Sequence, residues 1–162
     1  MGVRIFTTGG TIDKIYFDAK SDYQVGEPQI GQLLVEANVT CAYAVTPLLR
    51  KDSLELDAAD RALIAERVAA AAESRVLITH GTDTMVATAR ALIGIAGKTV
   101  VLVGAMQPAR LRVSDALFNI GFALAAVQLL PPGVYLAMNG RVFDPLTTRK
   151  NVAKNRFESG DD

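Results

Sequence analysis

Two short stretches hold the side chains best suited to chemistry. The first is Thr7-Thr8-Gly9-Gly10-Thr11-Ile12-Asp13. It follows an apolar run over residues 3–6 that reads as the first strand of a buried sheet. Gly9 and Gly10 permit a sharp turn and a close approach of backbone to a ligand. Thr11 stands just past the turn. A hydroxyl at the end of a buried strand, beside glycines that expose their N–H groups, has the parts of a nucleophile with an oxyanion site. The same residues also suit an ordinary turn, and nothing inside the stretch decides between the two. The second is His80-Gly81-Thr82-Asp83-Thr84-Met85, which offers two hydroxyls and a carboxylate at a strand-to-helix junction. An ionised Asp83 there can cap the helix or anchor a ligand ammonium group. His80 can act as a base, although a single His before a Gly is more often a structural hydrogen-bonding group.

These residues need a scaffold, and the apolar pattern supplies one. After the Gly-Gly turn, residues 14–27 are polar and poorly periodic, which predicts a long loop able to act as a lid. A short helix is expected over 28–36, a second strand over 38–47 and a connection over 48–56. Asp57 is placed to cap a helix reaching about Glu73, with Leu63, Ile64 and Val68 on one face. Residues 75–79 and 99–103 read as central parallel strands. A helix after the first of them stops at 94–97, where two glycines stand. Ser114 is expected to cap the next helix, which carries Leu117, Phe118, Phe122 and Leu124 and is broken at Pro131-Pro132-Gly133. A fifth strand is expected over 134–138. The tail after Asp144, basic and then acidic, reads as loosely held.

Alternating strands and helices predict an α/β fold: a doubly wound, mostly parallel sheet with helices on both faces. In that architecture ligands bind outside the carboxyl ends of the strands. The polar stretches TTGGT, HGTDT, GAMQP and MNG all follow predicted strands, so they should converge on one face. That convergence favours a site over a mere turn at Thr11.

Composition sets bounds. The 162 residues are enough for one domain with a substantial core, and too few for two ordinary ones. Half are hydrophobic and about a fifth charged, with a formal net charge of zero. No basic stripe or charge block invites nucleic acid or a membrane surface, and no apolar run approaches a membrane span. One His and one Cys speak against a zinc site. The lone Cys41 fits a reducing compartment, and with no leader expected the chain is read as cytoplasmic.

TTGGTID, then HGTDTM, then GAMQP before a helix, resemble the bacterial-type L-asparaginases, amidohydrolases that convert asparagine to aspartate and ammonia. The resemblance covers nearly the whole chain, as the larger N-terminal domain of that family. It implies one such domain over 1–162 and no C-terminal domain. It places the nucleophile at Thr11, activated by a loop tyrosine that matches Tyr23, with Tyr16 as the fallback. It places a second threonine at Thr82, beside Asp83, in a triad completed by a lysine. Lys150 in TTRKN is favoured for that role over Lys154. Ser53 in KDSLEL matches a substrate-binding serine, and Ala105 a backbone contact to the amide. Gly10, Thr82 and Asp83 would complete the binding set, with Asp83 meeting the substrate ammonium, and Ser53 and the glycine-turn N–H groups its carboxylate.

The function so implied is L-asparagine hydrolysis through a covalent acyl-enzyme, with no metal and no organic cofactor. The alternatives are a related amidase or glutaminase, and an amino-acid sensor that keeps the pocket without turnover. A homo-oligomer is expected, because a single domain leaves apolar area on its helices and strand-end face uncovered.

Overall fold

A computed structural model describes residues 2–160. The chain opens with β1 (Val3–Gly9) and returns as a hairpin, β2 (Lys14–Phe17) and β3 (Asp22–Val25). Helix α1 (Ile30–Glu36) leads to β4 (Tyr43–Lys51), and α2 (Ala58–Ala70) to β5 (Arg75–Thr79). Then α3 (Met85–Ala91), β6 (Thr99–Val103), α4 (Ala116–Leu129) and β7 (Gly133–Met138) continue the alternation. Three short strands close it: β8 (Arg141–Phe143), β9 (Thr148–Asn151) and β10 (Arg156–Ser159).

The main sheet has the order β4-β1-β5-β6-β7-β8. Its strands are parallel except for the β7–β8 pair. Every residue of β6, and all of β5 but Arg75, is buried, so both faces of the sheet are covered. The order reverses at β1. The chain steps outward to β4 on one side and then to β5 on the other, which is the doubly wound plan expected from the alternation. The carboxyl ends of β1, β5, β6 and β7 therefore open on one edge.

Local chemistry accounts for the helix limits. Asp57 accepts the Asp60 N–H while the Asp60 carboxylate accepts the Asp57 N–H, a reciprocal cap that starts α2. The helix ends at Ala70, short of the expected Glu73, because Lys98 Nζ donates to the carbonyls of Ala71 and Glu73 and replaces the next helical bonds. Ser114 Oγ accepts the Ala116 N–H, although Asp115 intervenes before α4 begins. The buried stripe of α4 is Ile120, Ala123, Leu124 and Val127, whereas Leu117 and Phe118 face solvent.

Three expectations need correction. The second strand starts at Tyr43 rather than Asn38, and it runs on through Lys51 in place of the expected connection. Asn38, with φ 50°, ends the turn after α1, and pairing with β1 then draws β4 out to the Gly9–Lys51 register. The loop over 14–27 is an antiparallel hairpin in which Tyr16 faces Tyr23. The tail is not loose. Strands β9 and β10 pair, Phe157 is 4% exposed, and its ring lies 6.1 Å from that of Phe143. Beside it the buried Glu158 accepts hydrogen bonds from Asn151 Nδ2 and Arg156 Nε, and forms ion pairs with Arg149 and Lys154. Basic residues on both strands and in the turn between them are thus gathered on Glu158, a pairing invisible while the sequence is read in series.

Truncating Phe157 tests how firmly the tail is anchored. Phe157→Ala should destabilise the fold by about 3–4 kcal/mol, the usual cost of emptying a buried phenylalanine site. Urea denaturation gives the difference directly, and a change below about 1 kcal/mol would mean the hairpin contributes little to the core.

Candidate active site

The site begins with a backbone contact. Gly9 and Gly10 have φ of 99° and 92°, in the region that favours glycine. A Cβ on Gly10 would overlap the Cα and N of Gly81. A Cβ on Gly81 would in turn come within 2.6 Å of the Cβ and Oγ of Ser53. Three segments, after β1, after β5 and after β4, are therefore pressed together, the first two backbone to backbone and the third through the small Ser53 side chain. Polar ties fix the same arrangement. Gly10 N donates to the Lys51 carbonyl (3.0 Å), Thr8 Oγ1 to the Thr79 carbonyl (2.8 Å), and Thr84 Oγ1 to the Ser53 carbonyl (2.7 Å). Thr11 and Thr82 each follow one of the contacting glycines, which brings the two candidate threonine positions to adjacent turns.

Thr82 is bound into a polar triad. Lys150 Nζ lies 2.7 Å from Thr82 Oγ1 and 2.6 Å from Asp83 Oδ1. The lysine side chain is 13% exposed, against 42% for Asp83. Lys150 sits on β9, so the anchored hairpin is what delivers it. Lys154 goes elsewhere: it pairs with Glu158 at 3.4 Å and is 59% exposed. Asp83 does not cap α3. That helix has Thr84 at its N-cap, with no side-chain capping bond, and the Asp83 carboxylate turns to Lys150 instead.

The loops after β6 and β7 are held by a group that pattern reading misses. The Asp115 carboxylate accepts the N–H groups of Met106 (3.0 Å) and Gln107 (3.1 Å), and also the side-chain amides of Asn119 (2.9 Å) and Asn139 (3.2 Å). Asn119 further donates to the Gly104 carbonyl and accepts the Asn139 N–H. This fixes the GAMQP stretch and buries Ala105 at 1% exposure. A carboxylate beside the capping serine, one turn before an asparagine, is the available signal. Gly104 is also constrained, since a Cβ there would overlap the His80 carbonyl and lie 3.3 Å from Thr82 Cγ2.

His80 is structural. Its Nδ1 lies 2.7 Å from the Gly81 carbonyl, which can only accept, so Nδ1 carries the proton. Its Nε2 then accepts from Thr88 Oγ1 at 2.8 Å. Burial pushes its pKa down to about 4, so the ring is neutral and both nitrogens are occupied.

The remaining predicted residues are less tightly gathered. The Thr11 hydroxyl is half-buried and makes no hydrogen bond among the described residues. Tyr23 is 46% exposed and packs edge-on against Tyr16, with ring centroids 5.5 Å apart. No hydrogen bond joins either tyrosine to Thr11 among the described residues. Ser53 is 2% exposed, beneath Gly81. The Gly10 N–H is committed to the Lys51 carbonyl. Taken together, the strand ends offer a half-buried hydroxyl, a lysine-bonded hydroxyl and a carboxylate with one oxygen outside the lysine bond, the parts of an acyl-transfer site.

Comparison with known proteins bears on the family and the fold. The family model described as Asparaginase, N-terminal, matches residues 2–160. The chain is 31% identical over 168 aligned residues to a Glutamyl-tRNA(Gln) amidotransferase component from Methanococcus vannielii, covering 95% of this chain and 38% of that protein. It is 28% identical to the glutaminase-asparaginase of Pseudomonas fluorescens biotype A, covering 94% and 45%. The crystal structure of L-asparaginase I from Vibrio cholerae superposes with a TM-score of 0.85 at 30% identity, covering 98% of this chain and 51% of that one. The chain thus spans about two fifths of the length of the first of these relatives and half of the solved structure. The sheet order, the paired glycine turns and the family match lead to one conclusion: this chain belongs to the asparaginase family, through that family's N-terminal domain.

Proposed function

We propose that the chain carries the catalytic groups of an L-asparaginase that works through a threonine ester. The observation that carries this reading is the pair of hydrogen bonds from Lys150 to Thr82 and Asp83, set against the Gly10–Gly81 contact. In the proposed reaction Thr11 Oγ attacks the side-chain amide carbon of asparagine. The N–H groups of Thr11 and Thr82 receive the developing oxyanion, the role that backbone donors at tight turns fill well. The amide nitrogen leaves as ammonia, and the aspartyl group stays esterified to Thr11. Water, activated at Thr82 with Lys150 as its proton partner, then releases aspartate. Asp83 holds the substrate ammonium through the oxygen not bonded to Lys150. Ser53 supports the carboxylate end from beneath Gly81. Ala105 supplies a backbone contact to the amide. Tyr23, carried on the β2–β3 hairpin, would activate Thr11, and that hairpin serves as the lid.

A second reading has its own support. The relatives include proteins named as a glutaminase-asparaginase and as part of an amidotransferase, so the preferred amide is open to test. Ammonia release measured over a panel of asparagine, glutamine and larger amides separates these cases. A sensor would bind aspartate without releasing ammonia from any of them. On one free cysteine, we place the protein in a reducing, cytoplasmic compartment. No described helix is long and apolar enough to cross a membrane. We also propose a homo-oligomer, because Val113, Leu117 and Phe118 are 83%, 53% and 63% exposed near the strand-end edge.

Three outcomes are expected. Thr11→Ala should lower ammonia release at least about a thousandfold, and Thr82→Val at least about a hundredfold, both with unchanged far-UV circular dichroism. Near-wild-type turnover in Thr11→Ala would exclude the mechanism. Amide exchange of residues 14–27 should slow when aspartate is added, and equal protection with and without it would mark a fixed hairpin. Light scattering should give a mass of at least twice 17.3 kDa, and a fully active monomer would remove the oligomer proposal.

A further inference from the structure

Asp13 is two residues past Thr11, and the mechanism above leaves it unused. It closes the turn that holds Thr11, its N–H donating to the Gly10 carbonyl at 3.1 Å. Its own carbonyl accepts the Gly26 N–H at 2.8 Å, and its Oδ1 accepts the Gln29 N–H at 2.9 Å. Strand β2 leaves from residue 14, and β3 ends at residue 25 directly opposite. Both feet of the hairpin are therefore fastened to one residue, which is also the last of the nucleophile turn.

The other carboxylate oxygen, Oδ2, is buried and makes no hydrogen bond. Asp13 as a whole is 2% exposed and borders a cavity of about 200 Å³ with Gly26, Pro28, Pro47, Leu48 and Arg50. The charged groups around it give little help. Arg50 on β4 is paired with Glu27 at the end of the hairpin, and both side chains are half or more exposed. Lys14 on β2 is paired with Asp52, and Arg110, from the loop after β6, donates to Gln29 Oε1. A carboxylate in this position is costly to keep ionised, since one oxygen is shut off from solvent and accepts no hydrogen bond from the described residues. Lifting the hairpin would open that oxygen to solvent.

We propose that Asp13 is a positioning residue that couples the hairpin to the Thr11 turn: it holds the hairpin closed while its carboxyl carries a proton, and lets it open when that proton passes to water. The hairpin's role as a lid rests on the asparaginase reading, but the coupling itself is a property of the fold. Burial pushes the Asp13 carboxyl up to about 6 in the closed form, above its ordinary value of 3.8. The sign follows. Closure takes up a proton between those two values, so it strengthens as the pH falls through 6 and levels off near 4. Between pH 7 and pH 5 the closed-to-open ratio should rise about tenfold, as one linked proton requires.

Hydrogen exchange of residues 14–27, corrected for intrinsic rates and measured without ligand, reads that ratio directly. The wild type should show about tenfold more protection at pH 5 than at pH 7. Asp13→Asn keeps an oxygen for the Gln29 N–H and cannot ionise, so its protection should be equal at the two pH values. Asp13→Ala loses the tie and should leave the hairpin poorly protected at both. If Asp13→Ala does not fold, the wild-type and Asp13→Asn profiles still decide the matter. Equal wild-type protection at the two pH values, or an Asp13→Asn hairpin that keeps the wild-type pH dependence, overturns the proposal. With asparagine as substrate, Asp13→Ala should lose kcat more than it raises KM. Absence of ammonia release by the wild type would instead overturn the asparaginase reading and leave the exchange result standing.

Discussion

Everything at the strand-end edge depends on the contact between Gly10 and Gly81. Two backbones approach so closely there that Gly10 cannot carry a Cβ, and Gly81 cannot carry one against Ser53. The contact joins the turn after β1 to the turn after β5, and Ser53 closes the third side beneath Gly81. No side-chain hydrogen bond could bring the turns this close, because any residue large enough to bond would also hold them apart. The glycines carry an entropic cost in the unfolded chain, and the two in the first turn adopt left-handed backbone that other residues resist. The fold tolerates this because the flanking strands are almost entirely buried and hydrogen-bonded, so the turns have little freedom to relax.

The second dependence is electrostatic and comes from the far end of the chain. Strand β9 carries Arg149 and Lys150, and Lys154 and Arg156 follow within a few residues. Four cations on so short a hairpin repel one another unless something neutralises them. Glu158 bonds or pairs with three of the four, and Asp83 takes the last. Lys150 can therefore sit at 13% exposure between a hydroxyl and a carboxylate without meeting an unbalanced field from its neighbours. The burial of Phe157 makes the hairpin rigid enough for this to matter, since a lysine on a frayed tail would prefer solvent.

Much of this is legible in the sequence. Parallel strands in this chain are short and apolar, and the polar stretches at their ends are conspicuous against so hydrophobic a background. Asp57 and Ser114 announce their helices. What sequence reading misses depends on pairing across distance. The hairpin of β2 and β3 is solvent-exposed on much of its surface, so it lacks the alternation that reveals a strand. The β9–β10 pair reads as a basic run followed by an acidic one until the two are laid side by side. Asp115 resembles any residue near a helix start, and only the positions of Met106, Asn119 and Asn139 turn it into the anchor of two loops. The choice between Lys150 and Lys154 has the same character. Spacing along the chain leaves it open. The register of the β9–β10 hairpin accounts for which lysine meets Thr82 and Asp83: Lys150 lies within β9, opposite Phe157, whereas Lys154 falls in the turn between the strands.

Asp83 shows how these pieces would work on a charged ligand. Its carboxylate already holds Lys150 through Oδ1, yet 42% of its side chain remains exposed. A substrate ammonium placed on that open side would share the carboxylate with a second cation. Two cations on opposite oxygens of one carboxylate are each attracted to it more strongly than they repel each other, provided they stay on opposite sides. The hydrogen bond from Lys150 to Thr82 enforces this separation, because it pins the lysine on the side of Thr82 and away from the open oxygen. The exposure of Asp83 keeps water near the ion pair and weakens it, so exclusion of that water is what would convert a loose contact into a firm one. In the proposed mechanism the element that excludes it is the β2–β3 hairpin. Under the proposed reading, the affinity of the site is therefore governed less by the triad, which is built in advance, than by the free energy of closing β2 and β3 over it.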